Sequence, residues 1–267
     1  MPARSTTLKD IKAARERIDD YIDYSPLAHS ETLSQISGAQ LYLKLENLQM
    51  TGSFKDRGAF KKVLQLDAAE RALGVVTASA GNHAQAVAYL AQRLRISATI
   101  AMPENAPLTK VANTRRHGAE VVLSGATYQD AYDKAVEIQQ QQGATFVHPF
   151  DDAEVIAGQG TIGLELLQQA PKLDAVVVPV GGGGLVSGIA VALKEQNPQI
   201  EIIGVEAAAF PSARLSLAQN RVVAAGQMAS LADRIAVKQV GDMPLSLMAA
   251  MSTRWSASRR RRSRGRF

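Results

Sequence analysis

Four consecutive glycines, Gly181 to Gly184, follow the apolar run 175–180 and lead straight into the helix-like stretch 185–193. A buried strand, a turn without side chains and a helix start together form a phosphate cradle. Without Cβ atoms the backbone N–H groups can crowd an anion, and the helix dipole favours negative charge there. No Gly-Lys-Ser/Thr closes the run as a nucleotide loop would, and the dinucleotide spacing is not met. Lys55 lies 126 residues earlier, in Thr51-Gly-Ser-Phe-Lys-Asp-Arg-Gly58, where Thr51 or Ser53 can cap a short helix. An ammonium at a helix start opposes the dipole, which points to a lysine kept for its amine, whose pKa burial lowers. A third run, 75–85, reads as a strand entering Ser79-Ala-Gly-Asn-His83 and then a helix, with small residues and an amide suited to a ring oxygen or a carboxylate. Each alone has an ordinary reading: a flexible connection, a surface lysine, a common strand-to-helix turn. Together, a nucleophilic lysine and a separate anion cup fit a phosphate-bearing aldehyde, with a Schiff base at one end and phosphate at the other.

The elements that must position these residues follow from periodicity. Thr7 to Asp10 reads as a capping signal, and Leu8, Ile11, Ala14, Ile18 and Ile22 recur at helical spacing until Ser25-Pro26. Residues 41–45 alternate as a strand does. Strands are expected at 75–78, 98–102, 120–123, 145–148, 175–180 and 200–205, with helices near 60–66, 83–94, 110–117, 128–142, 162–169 and 186–196. Strand and helix alternating in this way predict an α/β fold with parallel sheets. The 267 residues are 46% apolar and include no cysteine, which removes thiol nucleophiles and thiolate metal sites. No run is long and apolar enough for a membrane span, so the expectation is a soluble, cytoplasmic protein. The formal charge of +5 is concentrated at one end: seven of the 30 bases are arginines within residues 254–267, and the remaining 23 face 25 acids. No nucleic-acid-binding face is therefore expected.

The three runs, in this order, resemble the fold-type II pyridoxal-phosphate enzymes, and within them the threonine/serine dehydratase branch. Ser53-Phe-Lys-Asp-Arg-Gly58 resembles the lysine motif, 78–85 the substrate loop and Gly181-Gly-Gly-Gly-Leu185 the phosphate loop. Lys44-Leu-Glu-Asn-Leu-Gln49, His148-Pro-Phe-Asp151, Ala157-Gly-Gln-Gly-Thr161, Gly204-Val-Glu206 and Ile235-Ala-Val-Lys238 support the likeness, which spans roughly residues 8–246.

The resemblance implies two open, twisted, mainly parallel sheets with flanking helices. A large domain would comprise 1–49 and 150–248, a small inserted domain 50–149, and the cofactor would lie in the cleft between them. It implies that Lys55 binds pyridoxal 5'-phosphate and moves the α-proton, and that Phe54 lies beside the ring. Asn82 would bond the ring oxygen, while Gly181, Gly182, Gly183, Gly184 and the Leu185 amide would hold the phosphate. Ser79, Ala80, Gly81 and His83 would line the substrate loop. The implied reaction is dehydration of L-threonine to 2-oxobutanoate and ammonia, within isoleucine synthesis or amino-acid breakdown, with serine as a second substrate and a homo-oligomer as the assembly. A racemase of the neighbouring branch is the alternative. Racemisation needs a second acid/base on the opposite ring face, and Ala80, standing where that branch has a serine, cannot transfer a proton. Glu206 lies near a cation site of some relatives, but no second acid follows at Phe210 or Ser212, so no metal is expected. Beyond Ser246 the likeness fades. Residues 249–267 are expected to be a disordered, arginine-rich tail outside the family, the product of a shifted frame or an alternative stop. The serine-glycine segment that meets the pyridine nitrogen in relatives has no match, which keeps a cofactor-binding but inactive product among the expectations.

Overall fold

Thr7 opens the first helix, α1 (Leu8–Ile18): its hydroxyl accepts the Asp10 N–H and the Asp10 carboxylate answers the Thr7 N–H, while Ile11, Ala14 and Ile18 turn inward. In this computed structural model, which describes residues 6–225, 232–251 and 254–258, two short antiparallel strands follow, β1 (Leu27–His29) and β2 (Tyr42–Lys44). Between them stands α2 (Glu31–Ser37), which ends at Gly38 with φ +72°.

The chain then alternates helix and strand. It passes through α3 (Lys55–Leu64), α4 (Ala68–Leu73), β3 (Val75–Ala78), α5 (Asn82–Leu94), β4 (Ala98–Met102), α6 (Leu108–Arg116), β5 (Glu120–Leu123), α7 (Tyr128–Gln142) and β6 (Thr145–Phe146). These four strands form one parallel sheet in the order β5-β4-β3-β6. Strands β3 and β4 are buried along their whole length, as expected where helices cover both faces. The strand expected over 145–148 is shorter. Val147 still donates its N–H to Val76 O, at 2.9 Å, but the chain then bends away.

The long helix α8 (Ala153–Gln169) begins nine residues before the helical stretch expected from 162. Gly158, Gly160 and Gly163 weaken its local helix signal. Packing requires them: a Cβ at Gly158 would lie 2.6 Å from Arg57 O, and one at Gly160 2.8 Å from Gly188 O. Helix α3 and the later helix α9 (Gly184–Lys194) thus approach α8 backbone to backbone, and tertiary contact overrides propensity.

A second parallel sheet, β7-β8-β9, comprises β7 (Ala175–Pro179), β8 (Glu201–Ala207) and β9 (Arg254–Ser258). Helices α10 (Ser212–Gln219) and α11 (Asp242–Ala250) lie between β8 and β9 in the chain. Val178 and Ile202 join an apolar cluster with α8 and α9, whereas Val177 on the other face is 63% exposed. The expectation of a tail from residue 249 does not hold for Ala249 and Ala250, which complete α11 ahead of its cap Met251, or for 254–258. Trp255 sets its ring against Gly204, where a Cβ would come within 2.7 Å of it, and Arg254 pairs with Glu201 at 2.8 Å. A bulky ring over a glycine, flanked by outward Arg254 and Ser256, is a strand pattern within an arginine-rich stretch. The remaining tail positions, 252–253 and 259–267, lie outside the described residues. The described residues contain no helix long and apolar enough to cross a membrane.

Candidate active site

The order β5-β4-β3-β6 reverses direction at β3, and ligands of open α/β sheets bind outside the carboxyl ends of strands at such a switch point. Ser79 to Gly81 leave β3 at that end, and the segment Val147 to Asp151 leaves β6 there. Ser79 keeps its N–H on Ala101 O at 3.1 Å and accepts the Gly81 N–H on Oγ at 3.2 Å. Asn82 opens α5 behind Gly81 with no side chain capping that end, and half-buried Ala80 packs against the core.

His83 lies one residue further and is 3% exposed. Its Nε2 sits 2.8 Å from Val147 O. A carbonyl only accepts, so Nε2 carries the proton, and Nδ1 is left buried without a partner. Burial, with the nearby Lys55 charge, pushes the His83 pKa down to about 3. His83, expected to line the substrate loop, is thus a neutral ring with its one N–H committed to the Val147 carbonyl and only a lone pair left to offer.

Lys55 is the first residue of α3, behind Phe54 at the cap position, and Ser53 Oγ accepts its N–H at 3.3 Å. Of the two expected caps, Thr51 is drawn instead to the Asp56 carboxylate through its N–H and its hydroxyl. Lys55 Nζ donates to Pro149 O at 2.5 Å and lies 5.4 Å from the Phe54 ring centre. Burial without a countercharge lowers its pKa to about 8. Helix α3 is held by Arg57, fully buried, which donates to Glu46 at 2.7 and 2.8 Å and to Glu165 at 2.6 and 3.0 Å. Lys44 reaches the same Glu165 at 2.5 Å.

The glycine run lies beyond β7. Gly183 has φ +94°, a conformation costly to any residue with a Cβ, and α9 starts at Gly184 with no side-chain cap. Its first N–H groups therefore lack side-chain acceptors, as an anion site requires. A Cβ at Gly184 would lie 2.8 Å from Phe150 O, and one at Gly182 2.3 Å from the Phe150 ring. Leu185 follows half-buried against the second sheet's cluster, as does Phe54.

One five-residue strap, Val147 to Asp151, therefore meets every part. Val147 O takes His83, Pro149 O takes Lys55, Phe150 lies on the glycine run, and Asp151 accepts the Asp242 and Met243 N–H groups at 3.1 Å each. The sequence supplies only the run His-Pro-Phe-Asp at this place; its central position comes from the fold. Glu206 spends its carboxylate on the Ala213 and Arg214 N–H groups at 2.7 and 3.0 Å, at the start of α10.

A model of the family described as pyridoxal-phosphate dependent enzymes matches residues 18–257. The chain belongs to that family. The match passes Ser246, where the likeness is expected to fade, and ends within β9. An L-threonine ammonia-lyase of Thermotoga maritima is 51% identical over 242 residues, 91% of this chain and 60% of that protein. One from Geobacter sulfurreducens is 49% identical over 86% of this chain and 58% of that protein. The chain thus spans about three fifths of the length of these two relatives. Among solved structures, threonine deaminase isoform 2 of Solanum lycopersicum superposes with a TM-score of 0.90 at 38% identity, over 96% of this chain and 72% of that one. Maize serine racemase gives 0.92 at 33%, over 96% and 77%. The residues present fit the cofactor of these pyridoxal-phosphate dependent enzymes: a lysine of lowered pKa, an uncapped helix start behind a cradle that a Cβ would fill, and an orphaned imidazole nitrogen beside the lysine.

Proposed function

We propose that this chain binds pyridoxal 5'-phosphate between its two parallel sheets and carries the chemistry of a threonine ammonia-lyase, L-threonine to 2-oxobutanoate and ammonia. The observation that carries the reading is the desolvated Lys55 amine, one strap away from the glycine-built helix start. The N–H groups of Gly181 to Leu185 hold the phosphate, Phe54 flanks the ring, and Asn82 bonds its oxygen. Ser79 to Gly81 present small residues and N–H groups to the substrate carboxylate, with His83 behind them setting the loop against the strap. Lys55 Nζ, neutral in a larger fraction than an ordinary lysine near pH 7, takes the α-proton. When bound, the cofactor supplies the electron sink that makes removal of that proton feasible.

The names of the two relatives near 50% identity support threonine as the substrate, with serine as the smaller analogue. The solved serine racemase raises a second reading, which Ala80 disfavours, because a methyl group cannot return a proton to the opposite face. The division into a large domain (1–49 and 150–248) and an inserted small one (50–149), assembly as a homo-oligomer, and a cytoplasmic role in isoleucine synthesis or threonine breakdown belong to the same proposal.

The test is a titration of the purified chain with pyridoxal 5'-phosphate, read by the visible band of lysine-bound cofactor, beside Lys55→Ala, and then 2-oxobutanoate formation from threonine. A saturable band in the parent alone, with turnover, is the expected result. A folded parent with no band, or an equal band in the variant, overturns the binding site. A band without 2-oxobutanoate overturns the activity.

A further inference from the structure

His148 accepts two consecutive backbone N–H groups on one ring nitrogen, Phe150 at 3.3 Å and Asp151 at 2.7 Å. Pro149, between His148 and Phe150, has no N–H, so these two donors close the turn of the strap. A nitrogen accepting N–H groups is unprotonated, and burial keeps it so by lowering the His148 pKa to about 4, against the opposing pull of Asp151 and Asp152. The ring is fixed at its edges by Phe150, centre to centre 4.8 Å, and by Tyr132 and Phe146, both at 6.1 Å. On one side of the turn, Val147 O is pinned by Thr77 Oγ1 at 2.7 Å and by His83. On the other, Asp151 holds the start of α11, whose Pro244 lies 2.8 Å from where a Gly183 Cβ would be. Between these anchors the direction of the Pro149 carbonyl and the seat of Phe150 depend on the turn that His148 closes.

We infer that His148 is a positioning residue: by accepting the Phe150 and Asp151 N–H groups it aims the Pro149 carbonyl at the Lys55 amine and seats Phe150 on the glycine cup. This rests on the cofactor reading above for its consequence in binding, but its geometry concerns Lys55 with or without cofactor. Asparagine places an acceptor oxygen the same number of bonds from the backbone as Nδ1, whereas leucine fills similar space and accepts nothing.

The test compares the parent with His148→Leu and His148→Asn in three measurements: amide exchange at Phe150 and Asp151, the rate at which an amine-reactive reagent labels Lys55, and pyridoxal 5'-phosphate affinity, with far-UV dichroism confirming folding. His148→Leu should speed exchange at both amides, change Lys55 labelling severalfold and weaken the cofactor about tenfold, and His148→Asn should restore all three. Unchanged exchange and labelling in a folded His148→Leu protein overturn the inference. So does a His148→Asn protein as defective as the leucine variant, since ring packing alone would then be at stake. A parent without a cofactor band refutes the reading of the preceding section instead, and exchange and labelling then decide the role of His148.

Discussion

Lys44, Lys61 and Lys62 each end against a carboxylate, of Glu165, Glu154 and Asp152 in turn, whereas Lys55 ends against a neutral carbonyl. Desolvation without a compensating charge disfavours its ammonium form. Selective labelling of Lys55 by an amine-reactive reagent, followed by mass spectrometry across pH, should therefore reach half its plateau near pH 8, far below the 10.5 of a free lysine. A midpoint near 10 would mean that the amine is solvated. At the cup, Gly184→Ala sets a methyl group 2.8 Å from a backbone oxygen that no rotamer change relieves. We expect cofactor affinity to fall by about tenfold or more, read by the same titration, with the fold intact by dichroism. These two sites were legible in the sequence because each is local: a lysine at a helix start and glycines between a strand and a helix are patterns of neighbours.

At the scale of elements, α3 owes its place to charges buried between helices. Arg57 from α3 and Lys44 next to the short turn Glu46–Leu48 converge on Glu165 of α8, which is fully buried. Replacing Glu165 with alanine leaves the Lys44 ammonium with neutral acceptors alone, Ser25 O and Gln169 Oε1, and takes from buried Arg57 one of its two carboxylates, Glu46 remaining. Such a loss costs about 3–5 kcal/mol, which urea unfolding of Glu165→Ala should show as a large drop in midpoint with little change in slope. Neither the network nor the start of α8 could be read along the chain. Its three glycines weaken the helix locally, and only the closeness of Arg57 O to Gly158, Gly188 O to Gly160 and Ala192 to Gly163 explains them. Strand β9 escaped for the opposite reason: the arginines around Trp255 carry the signature of a solvated run, and the pairing of Arg254–Ser258 with β8 is contact over some fifty residues.

For the whole molecule, the two neutral imidazoles beside Lys55 make stability depend on acid. His83 is depressed from 6.5 to about 3. Between those values the unfolded chain holds a proton that the native one does not, so stability is fully present above pH 6.5 and falls as the pH drops, by up to about 1.4 kcal/mol per unit. Buried Asp56, raised to about 6, works the other way below that pH, because its native form keeps a proton that the unfolded chain gives up. His83→Gln isolates the histidine's part: glutamine still donates to Val147 O but does not titrate. From pH 6 to 5 its unfolding free energy should fall by about 1 kcal/mol less than that of the parent, measured by urea denaturation; parallel slopes would show that the native ring takes up a proton.

By itself the sequence determined the alternation of strand and helix, the parallel sheets and the three motifs, because period, glycine and lysine act within a few residues of one another. Tertiary structure alone decided that β3 is the switch strand and that the loop after β6 runs between lysine and cup. It also decided that His83 faces a carbonyl and that Trp255 closes a sheet. These depend on which surfaces meet, and burial, which sets the charge on Lys55 and on both histidines, exists only once they do.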